Sequence, residues 1–328
     1  MEIVQAQSVV VPAIEPKIIF PATSTDKPFI LANTQETNFH SLKFDCIIPV
    51  FAKDNETTIS HNQFIEAVME TASQFYQGET ILDPVIRVSH AIKGRIPEAM
   101  GKPAHMLRDD EKTIYYERMA FVIEIPSIYE TVEGNPLSLC IGGVRAYNHE
   151  NLYGKKTAEK FKVFVGFQNK VCCNLCISTD GIKVEIKART LHELAMEVFN
   201  LFASYDPLAH VQWLSQLPDS SMTESLFAKL IGRLKMYPYL PNTISQGIPD
   251  LELGDSQLSM VVKDYYQDES FCRESNGNIN LWRLFNLFTG ANKSSYIDRF
   301  LDRNVNVSGF VEGLKMAVND PFSSWYLS

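Results

Sequence analysis

Residues 113–125, TIYYERMAFVIEI, and residues 137–147, LSLCIGGVRAY, decide the reading of the fold. Both are runs rich in Val, Ile, Phe and Tyr, and they read as strands. Four further runs share this character: VIRVSHAI at 85–92, KFKVFVGFQN at 160–169, KVCCNLCIS at 170–178 and IKVEIKAR at 182–189. Six strands follow. The connections carry turn residues, EGNP at 133–136 and Asp180-Gly181, the latter suited to a type I′ hairpin between its flanking strands. The expected product is a largely antiparallel sheet.

Outward from this block the pattern changes on both sides. Upstream, FHSLKFDCIIPVF at 39–51 reads as a strand or strand pair. After it, Ser60 and Gln63 form a capping box ahead of Phe64, Ile65, Val68, Ala72 and Phe75 at helical spacing. Downstream of Thr190 the chain reads as helical. Thr190 and Glu193 form a second capping box, Ser221 with Glu224 heads the next helix, and Asp255, Asn278, Ser294 or Ser295, and Asn306 mark later starts. The class is α+β, with strands first and helices last. Three regions are expected: an extended or disordered arm at 1–28, a strand-rich α+β domain at 29–189, and a helical region at 190–328 packed on it. The arm contains Pro12, Pro16, Pro21 and Pro28 without strand or helix period. Its apolar VVV and IIF runs suit addition to a neighbouring sheet edge, which would make it an oligomerisation element.

No apolar run approaches the eighteen or so residues a membrane span needs, and Glu2 with scattered prolines replaces the basic start of a secretory signal. A cytoplasmic protein with no membrane association is expected. The formal charge is −9. It is unevenly distributed: residues 1–86 hold 4 Lys and Arg against 11 Asp and Glu, residues 87–190 hold 16 against 12, and residues 191–328 hold 10 against 16. The positive charge lies in the middle, and a local basic surface is compatible with an acidic whole.

Within that middle, Arg87, His90, Lys93 and Arg95 have the chemistry of a phosphate clamp, since Arg offers a bidentate fork and Gly94 lets backbone approach an anion. The plainer reading is a solvated face with a turn. Arg145 and Tyr147 follow the paired glycines of GGVRAYN, where a β-bulge is the plainer reading. Glu117 and Arg118 point to opposite faces of their strand. Lys293, in TGANKSS, is placed to bind an anion at the next helix's N-terminus. His61, in a first helical turn, reads as a surface residue. No nucleotide-binding fingerprint, nucleophile elbow or zinc-hydrolase motif is present, so no catalytic residue and no cofactor are assigned.

Three of the six cysteines fall within 172–176, and Cys173 with Cys176 forms a C-x-x-C. No second pair supplies zinc ligands, and no helix start follows to lower a thiol pKa. Strand alternation puts Val171, Cys173 and Leu175 on one face. They read as core thiols, with no metal.

Several long motifs in one order, IRVSHAIKGRIPEA, YYERMAFVIEIPS, GGVRAYNHENLYG, KFKVFVGFQNKVCCNLCISTDG and LWRLFNLFTGANKSSYIDRFLDR, resemble an uncharacterised family, domain of unknown function 3871, from about Phe29 to the last helix. Cys173 departs from the threonine expected there. More distantly, the V-C-x-N of Val171 to Asn174 and the LWRLFNLFTG helix are similar to phage/plasmid-like proteins of mobile genetic elements. That resemblance implies a bacterial mobile-element protein and transfers no catalytic residue. Three functions stay open: a non-enzymatic DNA-associated accessory in recombination or element maintenance, with the basic strands on phosphates and Tyr115, Tyr116 or Tyr147 stacking on bases; a host-protein interaction or anti-defence factor; and a nucleic-acid or nucleotide enzyme using Glu117 or Asp180 with the arginines.

Overall fold

The computed structural model describes residues 27–46, 58–147, 158–320, 322 and 324–328. Residues 1–26 of the anticipated arm, and 47–51 of the anticipated first strand pair, lie outside them. The main sheet is antiparallel, in the order β1 (Gln35–Thr37), β2 (Val85–Val88), β5 (Arg118–Val132), β6 (Asn135–Ala146) and β7 (Glu159–Asn169); β8 (Leu175–Cys176) and β9 (Ile182–Ala188) share the far edge of β7. A second pair, β3 (Ala91–Arg95) with β4 (Lys112–Tyr116), continues the β2–β5 register past the sheet: Val88 pairs with Met119 and Ala91 with Tyr116, bridged by the Ser89 amide on the Arg118 carbonyl. The four segments make one long two-stranded ribbon whose outer half leaves the sheet.

Helices cover both faces. On one face lie α2 (His61–Phe75) and α3 (Leu191–Ser204), set by the two predicted N-caps: Ser60 and Gln63 close their box, and Thr190 accepts from the Glu193 amide. Phe64, Ile65 and Val68 bury into the core cluster holding Met119, Phe121, Ile123 and Val163. On the other face, Ala120, Val122, Val144 and Phe164 pack with Phe29, Ile30, Ile297, Phe300 and Leu301. The paired glycines make this possible without a bulge, since Gly142 and Gly143 pair regularly with Val122 and Phe121. A Cβ on Gly143 would come within 2.5 Å of the Phe64 ring, and one on Gly142 within 2.8 Å of Phe164. The bulge lies elsewhere, between Ile125 and Tyr129.

Beyond α3 the chain adds α4 (Pro207–Gln216), β10 (Ser221–Met222), α5 (Glu224–Met236), α6 (Asn242–Ser245), α7 (Asp255–Gln267), β11 (Ile279–Asn280), α8 (Leu281–Asn292) and α9 (Ile297–Asn319). The apolar faces of α4, α5, α7 and α8 and the second half of α9, from Val307 on, join the core cluster of the first sheet face, while Ile297, Phe300 and Leu301 at the start of α9 cover the other. No helix among the described residues is long and apolar enough to cross a membrane.

Local expectations fail where side chains outside the element decide. Residues 39–44 form a short helix, α1 (Phe39–Phe44), because Asn38 accepts from the Ser41 amide at 2.8 Å and Leu42 turns inward. Ser221 and Asn278 are replaced as caps by Thr223 and Asn280, since β10 pairs with β11 and delays both helices. Tyr296, not Ser294 or Ser295, precedes α9, and Asn306 lies inside that single helix, where its amide ties down the Glu252 amide and the Asp250 carbonyl.

KVCCNLCIS is mostly turn. The Cys173 amide bonds the Asn169 carbonyl at 2.7 Å, the Val171 amide bonds Asn169 Oδ1, and Cys173 sits at φ 58°. Strand alternation therefore does not describe 171–173; only Leu175–Cys176 pairs with β7. Nor does Asp180-Gly181 make a type I′ hairpin, because β8 and β9 both pair with β7 rather than each other. Positive φ at both central residues is found instead at Glu133 (48°) and Gly134 (75°), between β5 and β6.

Candidate functional site

The central cations do not all gather, although Arg87 and Arg118 share one face of the sheet. Arg87 shares the face of its cross-strand partner Ala120, and Arg118 the face of Ala146, whereas Arg145 pairs with Met119 on the opposite face, beneath α2. Lys93 and Arg95 stand on the outlying ribbon, His90 is exposed at its root, and Lys293 is the C-cap of α8.

Most of these charges are also neutralised internally. Arg87 donates to the Thr34 hydroxyl and carbonyl at 3.2 and 3.1 Å and lies 3.6 Å from Glu36. Arg118 lies 3.9 Å from Asp298, and Lys162 is 2.7 Å from Asp302. Lys170 pairs with Glu124, Lys112 with Asp109, and Lys102 and Arg108 with Glu111. Arg95 donates to the Lys102 carbonyl. Three of these carboxylates, Glu36, Asp298 and Asp302, come from the acidic outer segments, so the fold brings together charges that the sequence keeps apart. Lys93 is exposed, with no ion-pair partner among the described residues.

Arg145 is 1% exposed. It donates to the Ile59 carbonyl and Glu159, with its guanidinium 4.6 Å from the Tyr147 ring centre and 4.5 Å from that of Phe161. Tyr147 in turn stacks on His61 at 4.4 Å. His61 is therefore a core residue, 5% exposed, with Nε2 2.9 Å from the Tyr116 carbonyl. Burial, then the Arg145 charge, pushes its pKa down to about 3, so the ring is neutral and Nε2 carries the proton donated to Tyr116. Sequence reading missed it because its partners lie far along the chain. Lys293, 6% exposed, donates its ammonium to the Cys172 carbonyl, and burial lowers its pKa. Its own carbonyl receives the Leu31 and Ala32 amides at 2.7 and 3.1 Å. These groups hold the molecule together.

Among the described residues no three His, Cys, Asp or Glu gather around a metal position. The six cysteines are free thiols, Cys140 and Cys176 fully buried. Of the two carboxylates considered for catalysis, Asp180 accepts from the Ser178 hydroxyl and the Asp206 amide.

A surface the sequence did not announce is more open. β1 pairs with β2 for three residues only, from Ile86 to Val88, because Asn38 then caps α1 and turns the chain off the sheet. Val85 is left paired on its β5 side alone and 51% exposed. The space between this strand end, α1 and the outer side of α2 is a groove of about 1010 Å³, floored by Phe39, Met69 and Val85 and rimmed by Glu36, Glu66, Glu70 and Asp83.

The described residues form an α+β body in which many of the central cations are paired internally and an acidic groove lies at a sheet edge. The chain belongs to the family described as Domain of unknown function, B. Theta Gene description (DUF3871), whose model matches residues 13–327, starting well before Phe29. No curated protein and no solved structure matches it.

Proposed function

We propose that the protein is a non-enzymatic accessory of a bacterial mobile element that works in the cytoplasm by holding another protein in the groove between β1, α1 and α2. The mobile-element setting comes from the likeness to phage/plasmid-like proteins. The observation that carries the contact role is the groove itself, which leaves apolar side chains and carboxylates open to solvent while the basic strands are paired within the molecule. A host-protein interaction or anti-defence role follows more directly from such a surface than a phosphate-binding one. Affinity capture of the tagged chain from its host tests this. One stoichiometric protein is expected with the wild type and with Lys93→Glu, and its loss with Glu70→Lys/Asp83→Lys; no stoichiometric partner, or loss on Lys93→Glu instead, overturns the reading.

DNA association is the second reading, favoured by the outlying ribbon. A two-stranded ribbon has the width to enter a major groove, and Lys93, Arg95 and Lys112 share one of its faces, as their pairing register requires. Tyr116 and Tyr147 are buried, so base stacking would fall to Tyr115. Labelled single- and double-stranded DNA at low salt should then bind and be released by Lys93→Glu; unchanged anisotropy with both excludes it.

A further inference from the structure

We infer that the occupant of the groove is a cationic amphipathic peptide segment, with lysine or arginine side chains flanking an apolar one. This rests on the contact role proposed above and names the chemistry of its partner.

The charge on the rim is unequally answered. Lys43 is 2.7 Å from Glu66, and Arg87 is 3.6 Å from Glu36. Among the described residues, Glu70 and Asp83 have no ion-pair partner and no lysine or arginine lines the groove. The surrounding segment, residues 1–86, holds 11 carboxylates against 4 lysines. An acidic occupant would therefore meet like charge, and a neutral apolar one would leave two carboxylates facing low-dielectric surface. A purely hydrophilic cation would leave Val85 and Met69 wet. Lysine and arginine suit both requirements, because their methylene stems lie along apolar surface while the charged heads reach carboxylates at the rim. The volume, about 1010 Å³, is at the upper end of small-molecule sites, which run to about 1,000 Å³, and suits several residues of a chain. The four described helices and strands that wall the groove have their own pairing, and the occupant inferred is a segment of a partner protein.

The probe is a fluorescein-labelled peptide of alternating lysine and leucine, with glutamate–leucine and lysine–serine peptides as controls, titrated against the full chain. The lysine–leucine peptide is expected to bind, to weaken about tenfold between 50 and 300 mM salt as screening shortens the reach of the rim charges, and to weaken about tenfold with Glu70→Lys/Asp83→Lys. The lysine–serine peptide should bind more weakly and the glutamate–leucine peptide not at all. Equal binding of the glutamate–leucine peptide, no binding of the lysine–leucine peptide, or binding that the double variant leaves unchanged overturns the inference. So does a salt-sensitive dimer of the wild type that the double variant dissolves, which would give the groove to a second copy. If the host partner is captured as proposed but carries no such segment, the contact role stands and the cationic occupant fails.

Discussion

His61 shows how much a single residue's role depends on contacts the sequence does not display. Its position in the first turn of α2 was legible from the Ser60–Gln63 box. Its burial was not, because that depends on Tyr147 and Arg145, more than eighty positions away, folding over it. A neutral buried histidine makes stability depend on pH. The folded pKa of about 3 lies below the ordinary 6.5, so the unfolded chain binds the extra proton first and stability falls as pH drops from about 6.5 toward 3. His210, lowered to about 4 by burial and bonded to the Tyr205 hydroxyl, adds in the same direction over a narrower window. The combined effect is on the order of a few kcal/mol at pH 4. Urea unfolding from pH 7 to 4 should show this decline. His61→Phe, which keeps a ring against Tyr147, should make it shallower; an unchanged slope would mean His61 is protonated in the folded state.

At the scale of elements, the helix starts with a local cap were legible, and those displaced by pairing were not. Thr190 caps α3 as its sequence predicts, while β10 and β11 move the starts of α5 and α8 by two residues. The same contrast explains KVCCNLCIS. Its composition suggests a strand, but Asn169, Asn174 and Asn286 make it a loop clamped to α8: Asn286 Oδ1 accepts from Asn169 Nδ2 at 3.0 Å, and Asn174 Nδ2 donates to the Asn286 carbonyl at 2.9 Å. Each side chain is polar and ordinary in sequence, and only their meeting gives them a role. Asn286→Ala removes the acceptor for Asn169 and the donor to the Trp282 carbonyl, leaving buried partners unmet. A loss of about 2–3 kcal/mol is expected from such groups, read as a lower urea midpoint with the slope unchanged. A loss below about 0.5 kcal/mol would show that water replaces the amide.

For the whole molecule, the α+β class and the order of strands before helices were legible because period and turn chemistry are local. The candidate site was much less so. Counting charge along the chain located a basic middle, yet Arg87, Arg118 and Lys162 meet Glu36, Asp298 and Asp302 across the fold. Linear charge predicts a surface only where pairing leaves the charge exposed, as at Lys93. The groove was hidden for the converse reason: it exists because β1 stops after three residues, and a short edge strand leaves little trace in sequence. The most direct test of the groove as the working surface places a photo-crosslinking phenylalanine at Val85, which is half exposed on the groove floor, and another at Tyr239, exposed on the far helical region. Irradiation in the host should give one discrete higher-mass adduct at 85 and none at 239. No adduct at 85, or the same adducts at both positions, would contradict the account.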